Sequence, residues 1–237
     1  PGVYDMLCRA DTVGLFQVES RAQMSFLPRL KPRNLDDVAI SIGAIRPGPG
    51  AARAGDHIAK RREGIEPVSY PHPVLQDVLE QTHGVILWQE QVMQVVSELG
   101  GIPLRQAYTL IKAISKKNKS VIDANRSQFI EGAQHRGVTS AKAVELFELI
   151  LKFAGYGFNK SHSTGYAIVA YQTAYLKTYF PVQYMAALLT YESVSTDKVV
   201  EYIDACRRTM RLGDPSRCGI DVKPPDINLS DVAFAVL

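Results

Sequence analysis

Apolar residues along the chain recur at spacings near 3.6 far more often than they alternate, which predicts helices rather than strands. The clearest case runs from Gln89 to Leu99, where Val92, Val95, Val96 and Leu99 line one face. The same periodicity predicts helices over 3–9, 21–30, 35–44, 53–63, 74–81, 104–115, 119–136, 140–153, 162–179, 182–192 and 196–211. The punctuation agrees with these bounds. Arg46-Pro47-Gly48-Pro49-Gly50 stops the helix that ends at Ala44, because proline lacks an N–H and fixes φ. Gly100-Gly101 ends the Gln89 helix, and Ser20 stands at an N-cap position before the helix at 21–30. Two stretches read as strands, Gly84 to Trp88 and residues 220–223. The fold class is mainly α, a multi-helix domain with a few short strands. No internal repeat or low-complexity segment interrupts it.

Composition changes this picture little. With 237 residues, 46% hydrophobic and 22% charged, the chain fits one or two soluble globular domains. The net charge of +3 is a weak pointer to a polyanionic partner. Cys8, Cys206 and Cys218 show no metal-ligand spacing, which fits reduced thiols and a cytoplasmic protein. No apolar run reaches the length of a membrane span, and nothing at the start reads as a signal peptide. Pro1 in place of an initiator methionine, and an end at Ala235-Val236-Leu237, give the expectation of a piece of a longer chain.

The chemistry concentrates in Gly155-Tyr156-Gly157-Phe158-Asn159-Lys160-Ser161-His162-Ser163, just ahead of a helix. A helix start leaves N–H groups for an anion, and Lys160 adds charge, so the cluster suits a phosphate or nucleotide. His162 and Tyr166 stand four apart and share a helix face on which a nucleobase can pack; equally, such a His serves as a hydrogen-bonded structural residue. Tyr156 and Phe158 read as core anchors. Lys112, Lys116, Lys117 and Lys119 form a second cluster, either a triphosphate or DNA-backbone clamp or a solvated basic helix end. Arg46 stands at the entrance of the Pro-Gly loop, as a phosphate fork or a solvated turn residue. Arg53, Lys60, Arg61 and Arg62 give the helix at 53–63 a basic side that could follow a DNA backbone, diluted by Asp56 and Glu63. Glu90 could orient a basic residue, but is read as a carboxylate that favours its own helix N-terminus. There is no Walker loop, zinc spacing or nucleophile elbow. Asp36-Asp37 lies on a helix where adjacent side chains diverge, a poor clamp for two metals.

Taken in order, several stretches resemble the alpha subunit of bacterial DNA polymerase III, a C-family polymerase. They are Thr12-Val13-Gly14-Leu15-Phe16-Gln17-Val18-Glu19-Ser20-Arg21, Arg46-Pro47-Gly48-Pro49, Ser69-Tyr70-Pro71-His72-Pro73, and Gly84 to Gln94. Lys152 to Ser163 and Lys223-Pro224-Pro225-Asp226-Ile227-Asn228 complete the set.

The resemblance implies a fingers region, with residues 1–192 as the fingers domain and 193–237 leading toward the next. It implies that the catalytic aspartates and their magnesium lie in a palm outside this chain, so that the piece alone is inactive. The implied task is to bind the incoming deoxynucleoside triphosphate and cover the nascent base pair. Arg46, Lys112, Lys116, Lys117, Lys160, His162 and Tyr166 would meet the nucleotide, and Lys60, Arg61, Arg62 and Lys119 would meet DNA. The implied partners are template-primer DNA, dNTP, the rest of the polymerase, the sliding clamp and a proofreading exonuclease, with no membrane. Where the family carries two adjacent arginines, this chain has Ile111 and Lys112. Phe158 to His162 has the replicative form, whereas error-prone relatives carry Pro-Glu before Ser-His, and residues 209–219 look like an insertion. The alternatives are a divergent or error-prone paralogue, a non-catalytic helical DNA-binding module, and a helical scaffold.

Overall fold

The computed structural model describes residues 2–45, 49–154, 158–209, 219–230 and 232–236, and between 49 and 53 the backbone only. Arg46, Tyr156, Cys218 and nearly all of the 209–219 segment therefore lie outside the described residues, as does the Arg53 side chain. Among the described residues there are twelve α-helices: α1 (Gly2–Cys8), α2 (Arg21–Leu30), α3 (Leu35–Ala44), α4 (Pro49–Arg62), α5 (Gln76–Leu79), α6 (Gln89–Gly100), α7 (Leu104–Ser115), α8 (Lys119–His135), α9 (Ser140–Ala154), α10 (Lys160–Tyr179), α11 (Pro181–Tyr191) and α12 (Thr196–Arg208). Single 3-10 turns flank α5. The protein is mainly α. No described helix is long and apolar enough to cross a membrane.

The chain divides into two compact units, Pro1–Val38 with Gly165–Leu237, and Ala39–Thr164. The expected boundary at 192/193 falls inside the first.

The Ala39–Thr164 unit is built on α6 to α9. Their apolar faces meet in one core that includes Val92, Val95, Leu99, Leu110, Phe129, Phe147 and Ile150. The Phe129 and Phe147 rings lie 5.5 Å apart, tilted by 45°. α6 and α8 meet at Gly100 and Gly132, where a side chain on either would overlap its neighbour: Phe129 for Gly100, the Gly100 carbonyl for Gly132. Ile111, at 4% exposure, belongs to this core. At the first of the two positions where the resemblance leads one to expect adjacent arginines, this chain has a packing residue.

The Gly84–Trp88 stretch is not a strand. Its one pairing is an isolated bridge between Trp88 and Phe158. The Gln91 side-chain oxygen Oε1 takes the place of a neighbouring strand, accepting the N–H groups of Leu87 and Trp88 at 2.8 and 3.1 Å. The Gln91 amide donates to the Thr82 hydroxyl at 2.7 Å. The apolar run is buried, as a strand would be, but a side chain satisfies its backbone.

In the other unit, Met185 and Leu189 of α11 pack on Tyr202, Ala205 and Cys206 of α12, with Ile220 added. Burial pushes the Cys206 thiol above its ordinary pKa, so it behaves as a small apolar residue. Residues 220–223 show no strand pairing; Ile220 instead donates its N–H to the Cys206 carbonyl at 2.7 Å. As expected, Ser20 caps α2 by accepting the Gln23 N–H at 3.3 Å.

Candidate nucleotide and nucleic-acid interface

The lysine cluster sits on the turn between α7 and α8. The Asn118 N–H bonds the Ala113 carbonyl at 2.8 Å and the Lys117 N–H bonds the Ile114 carbonyl at 3.0 Å. This doubly bonded helix end places its last bend at Lys117, which is left-handed with φ +54. Glycine is the usual residue there. Lys112, Lys116, Lys117 and Lys119 are all exposed. The Lys112 ammonium stands 4.4 Å from the centre of the Tyr108 ring. Lys116 and Lys117 lie where α7 ends, a favourable place for cations. Lys119 does not: it opens α8, whose first turn carries no acidic residue. The turn therefore gathers lysine charge and the positive end of a helix whose first turn carries no acid.

The start of α10 differs from what its sequence suggests. The helix begins at Lys160, not 162, and a distant carboxylate takes its first donor: Glu90 accepts the Lys160 N–H at 2.9 Å. Asn159 accepts the His162 N–H at 3.0 Å through its side chain. Glu90 thus caps another helix rather than only favouring its own N-terminus. The Lys160 ammonium donates to Gln81 at 2.7 Å and lies 5.0 Å from the Trp88 ring centre. Trp88, fully buried, donates its indole N–H to Ser163 at 3.3 Å. With its end capped by a carboxylate and its lysine engaged, this helix start is a structural joint more than an open anion cradle. His162 is exposed and meets the Phe158 ring edge-on, 4.9 Å between centres.

At the end of α4, the three cations differ. Lys60 pairs with Asp56 at 2.8 Å on the surface, a contact of small energetic weight. Arg61 is committed inward. Its guanidinium bonds Glu66 at 2.9 Å and the His83 carbonyl at 2.7 Å, and its side chain is only 12% exposed. Arg62 lies 3.4 Å from the His83 ring nitrogen.

Tyr166 belongs to the other unit. Its ring lies 5.1 Å from that of Phe16. Phe16 sits in the loop between α1 and α2, and nothing in the local sequence marks it as a ring partner for Tyr166. Further along α10, Lys177 is completely buried, yet its ammonium has three acceptors: the Asp11 carboxylate at 2.8 Å and the Asp11 and Val13 carbonyls at 3.2 and 3.0 Å.

No group of three or more His, Cys, Asp or Glu among the described residues is placed to hold a metal. Asp37 is buried and accepts the Arg33 N–H at 2.9 Å, so it serves the entry to α3. The described residues do not fit a magnesium pair.

The model of the bacterial DNA polymerase III alpha subunit finger domain matches residues 1–137. The DNA polymerase III subunit alpha of Helicobacter pylori (strain ATCC 700392 / 26695) is 42% identical over 236 residues, covering 100% of this chain and 19% of that protein. Its counterpart in Campylobacter jejuni is 42% identical over 235 residues, 99% of this chain and 19% of the relative. That of Escherichia coli (strain K12) is 42% identical over 230 residues, 95% of this chain and 19% of the relative. The chain spans about a fifth of the length of these curated relatives.

Proposed function

The chain belongs to the finger-domain family of the bacterial DNA polymerase III alpha subunit, and from that premise we propose that it binds the incoming dNTP and closes over the nascent base pair. In this reading Lys112, Lys116 and Lys117 neutralise the triphosphate, with Arg46 as a further nucleotide contact, and His162 and Tyr166 face the base pair; Lys160, bonded to Gln81, orders the start of α10 instead of meeting phosphate. Lys60, Arg62 and Lys119 meet the DNA backbone, while Arg61, expected from sequence to join them, is engaged by Glu66 and the His83 carbonyl and supports the end of α4. The reaction is DNA-directed phosphodiester formation. The carboxylates and magnesium that perform it belong to a palm elsewhere in the polymerase, and the residues here orient the substrate and offset its charge. The cytoplasm, template-primer DNA, the remainder of the polymerase chain, the sliding clamp and the proofreading exonuclease complete the proposed setting.

The observation that carries this reading is the turn at Lys116 and Lys117. It is closed by backbone hydrogen bonds, exposed and cationic, and its bend falls on a lysine where glycine would be easier. The test is steady-state kinetics of the complete polymerase with Lys116→Ala and Lys117→Ala. Loss of charge-assisted contacts to phosphate raises the dNTP KM by about tenfold or more, with template-primer affinity little changed. His162→Ala affects insertion more than DNA binding. A variant pair that loses DNA affinity while keeping its dNTP dependence would favour the helical DNA-binding module instead.

A further inference from the structure

The loop from Asp11 to Gln17 connects α1 to α2 without regular structure, yet side chains from several elements fix its backbone. Lys177 holds the Asp11 and Val13 carbonyls at 3.2 and 3.0 Å. The Tyr184 hydroxyl donates to the Gly14 carbonyl at 2.6 Å, and Glu19 accepts the Gly14 N–H at 3.0 Å. The Thr173 hydroxyl accepts the Phe16 N–H at 3.3 Å. Burial raises the Tyr184 phenol to about 12, so it remains a donor through neutral pH. Gly14 and Gln17 are both left-handed, at φ +79 and +63, and a side chain at Gly14 would overlap Leu188.

A connection between two helices needs none of this. Burying a lysine is costly unless it is fully paired, and such a network is best explained by the geometry it enforces. What it enforces here is the placement of Phe16. The ring is 37% exposed, at the surface rather than in a core, and it stands 5.1 Å from Tyr166 at a tilt of 44°.

We propose that Phe16 is the second aromatic of the surface that Tyr166 presents to a nucleobase, and that Lys177 is the positioning residue of the loop that carries it. The proposal rests on the reading that Tyr166 faces the nascent base pair. Any base offers a π-face to such a surface, so the contact favours a paired, stacked base without selecting among sequences. Phe16 contributes area and ring orientation, and it donates no hydrogen bond.

The test uses the complete polymerase with Phe16→Ala, Phe16→Leu, Phe16→Tyr, Tyr166→Ala and Lys177→Met, with 2-aminopurine in the template base of the nascent pair. Phe16→Ala and Phe16→Leu should each raise the dNTP KM roughly tenfold and weaken stacking-dependent quenching of the probe. Phe16→Tyr should restore both. Lys177→Met should show the same KM increase below its own melting temperature, with kcat changing less than KM. Because Phe16 is part-exposed, the leucine variant keeps the fold even where alanine does not. Normal KM and quenching in both Phe16→Leu and Phe16→Ala, against a defective Tyr166→Ala, would overturn this inference alone. A normal Tyr166→Ala would instead remove the reading beneath it.

Discussion

At the scale of single residues, Lys117 shows a conflict between local stability and charge. A non-glycine residue in the left-handed region pays roughly 1 kcal/mol, because its Cβ crowds the following carbonyl. Lys117 adopts φ +54 in the middle of a turn closed by bonds at 2.8 and 3.0 Å, so the conformation is imposed by the helix end and not by the side chain. Lys117→Gly should therefore stabilise the protein by about 0.5–1 kcal/mol, less what glycine adds to the freedom of the unfolded chain. Lys117→Ala keeps the strain and removes only the charge. Thermal or urea unfolding of the two variants checks this, with dNTP KM measured in parallel. In the proposed reading both variants lose nucleotide affinity, but only the glycine variant gains stability. Equal stability in the two would mean that the left-handed bend carries no penalty here.

At the scale of elements, the crossing of α6 and α8 depends on two glycines that no periodicity reveals. A Cβ at Gly132 would overlap the Gly100 carbonyl, a backbone atom that cannot rotate away. Gly132→Ala should cost about 1–3 kcal/mol or more, since α8 must shift and drag Phe129 from its place against Phe147. Gly137→Ala is a matched control of another kind: nothing crowds its Cβ, but its φ of +83 carries the backbone penalty alone. Denaturation midpoints should separate the two, with Gly132→Ala the larger loss. The same contrast explains what could be read from the chain. α7, expected over 104–115, was legible to the residue because the apolar spacing that predicts it is local. The start of α10 was not, because Glu90 supplies its cap from 70 residues away. Val85 to Trp88 looked like a strand because burial alone sets that pattern, whereas its actual partner is the Gln91 side chain. The lysines at 112 to 119 could be found from spacing. The inward turn of Arg61 and the link between Phe16 and Tyr166 could not, since each depends on a residue distant in sequence.

At the scale of the whole molecule, charge is nearly balanced, with 27 Lys and Arg against 24 Asp and Glu. Long-range attraction to DNA is then small, and any grip must come from local clusters whose cations are available to phosphate. The structure sorts the candidates by what already holds them. Lys119 is exposed at a helix start with no acidic residue in its first turn, and Lys60 has only a surface pair with Asp56. Arg61 is held by Glu66 and a backbone carbonyl. The salt dependence of template-primer binding by the complete polymerase turns this sorting into a measurement. A cation that meets a phosphate releases a counterion, so its removal lowers the slope of log K against log salt by about 0.9 on duplex DNA. Lys119→Ala and Lys60→Ala should each lower the slope by about that amount while leaving the dNTP KM unchanged. Arg61→Ala should leave the slope alone and lower the melting temperature, because it removes the bonds that tie α4 to Glu66 and to the His83 carbonyl. Lys116→Ala and Lys117→Ala should move the dNTP KM and not the slope. If instead all the lysines moved the slope equally, the turn between α7 and α8 would be one undivided DNA contact, and the assignment of its tip to the triphosphate would fall.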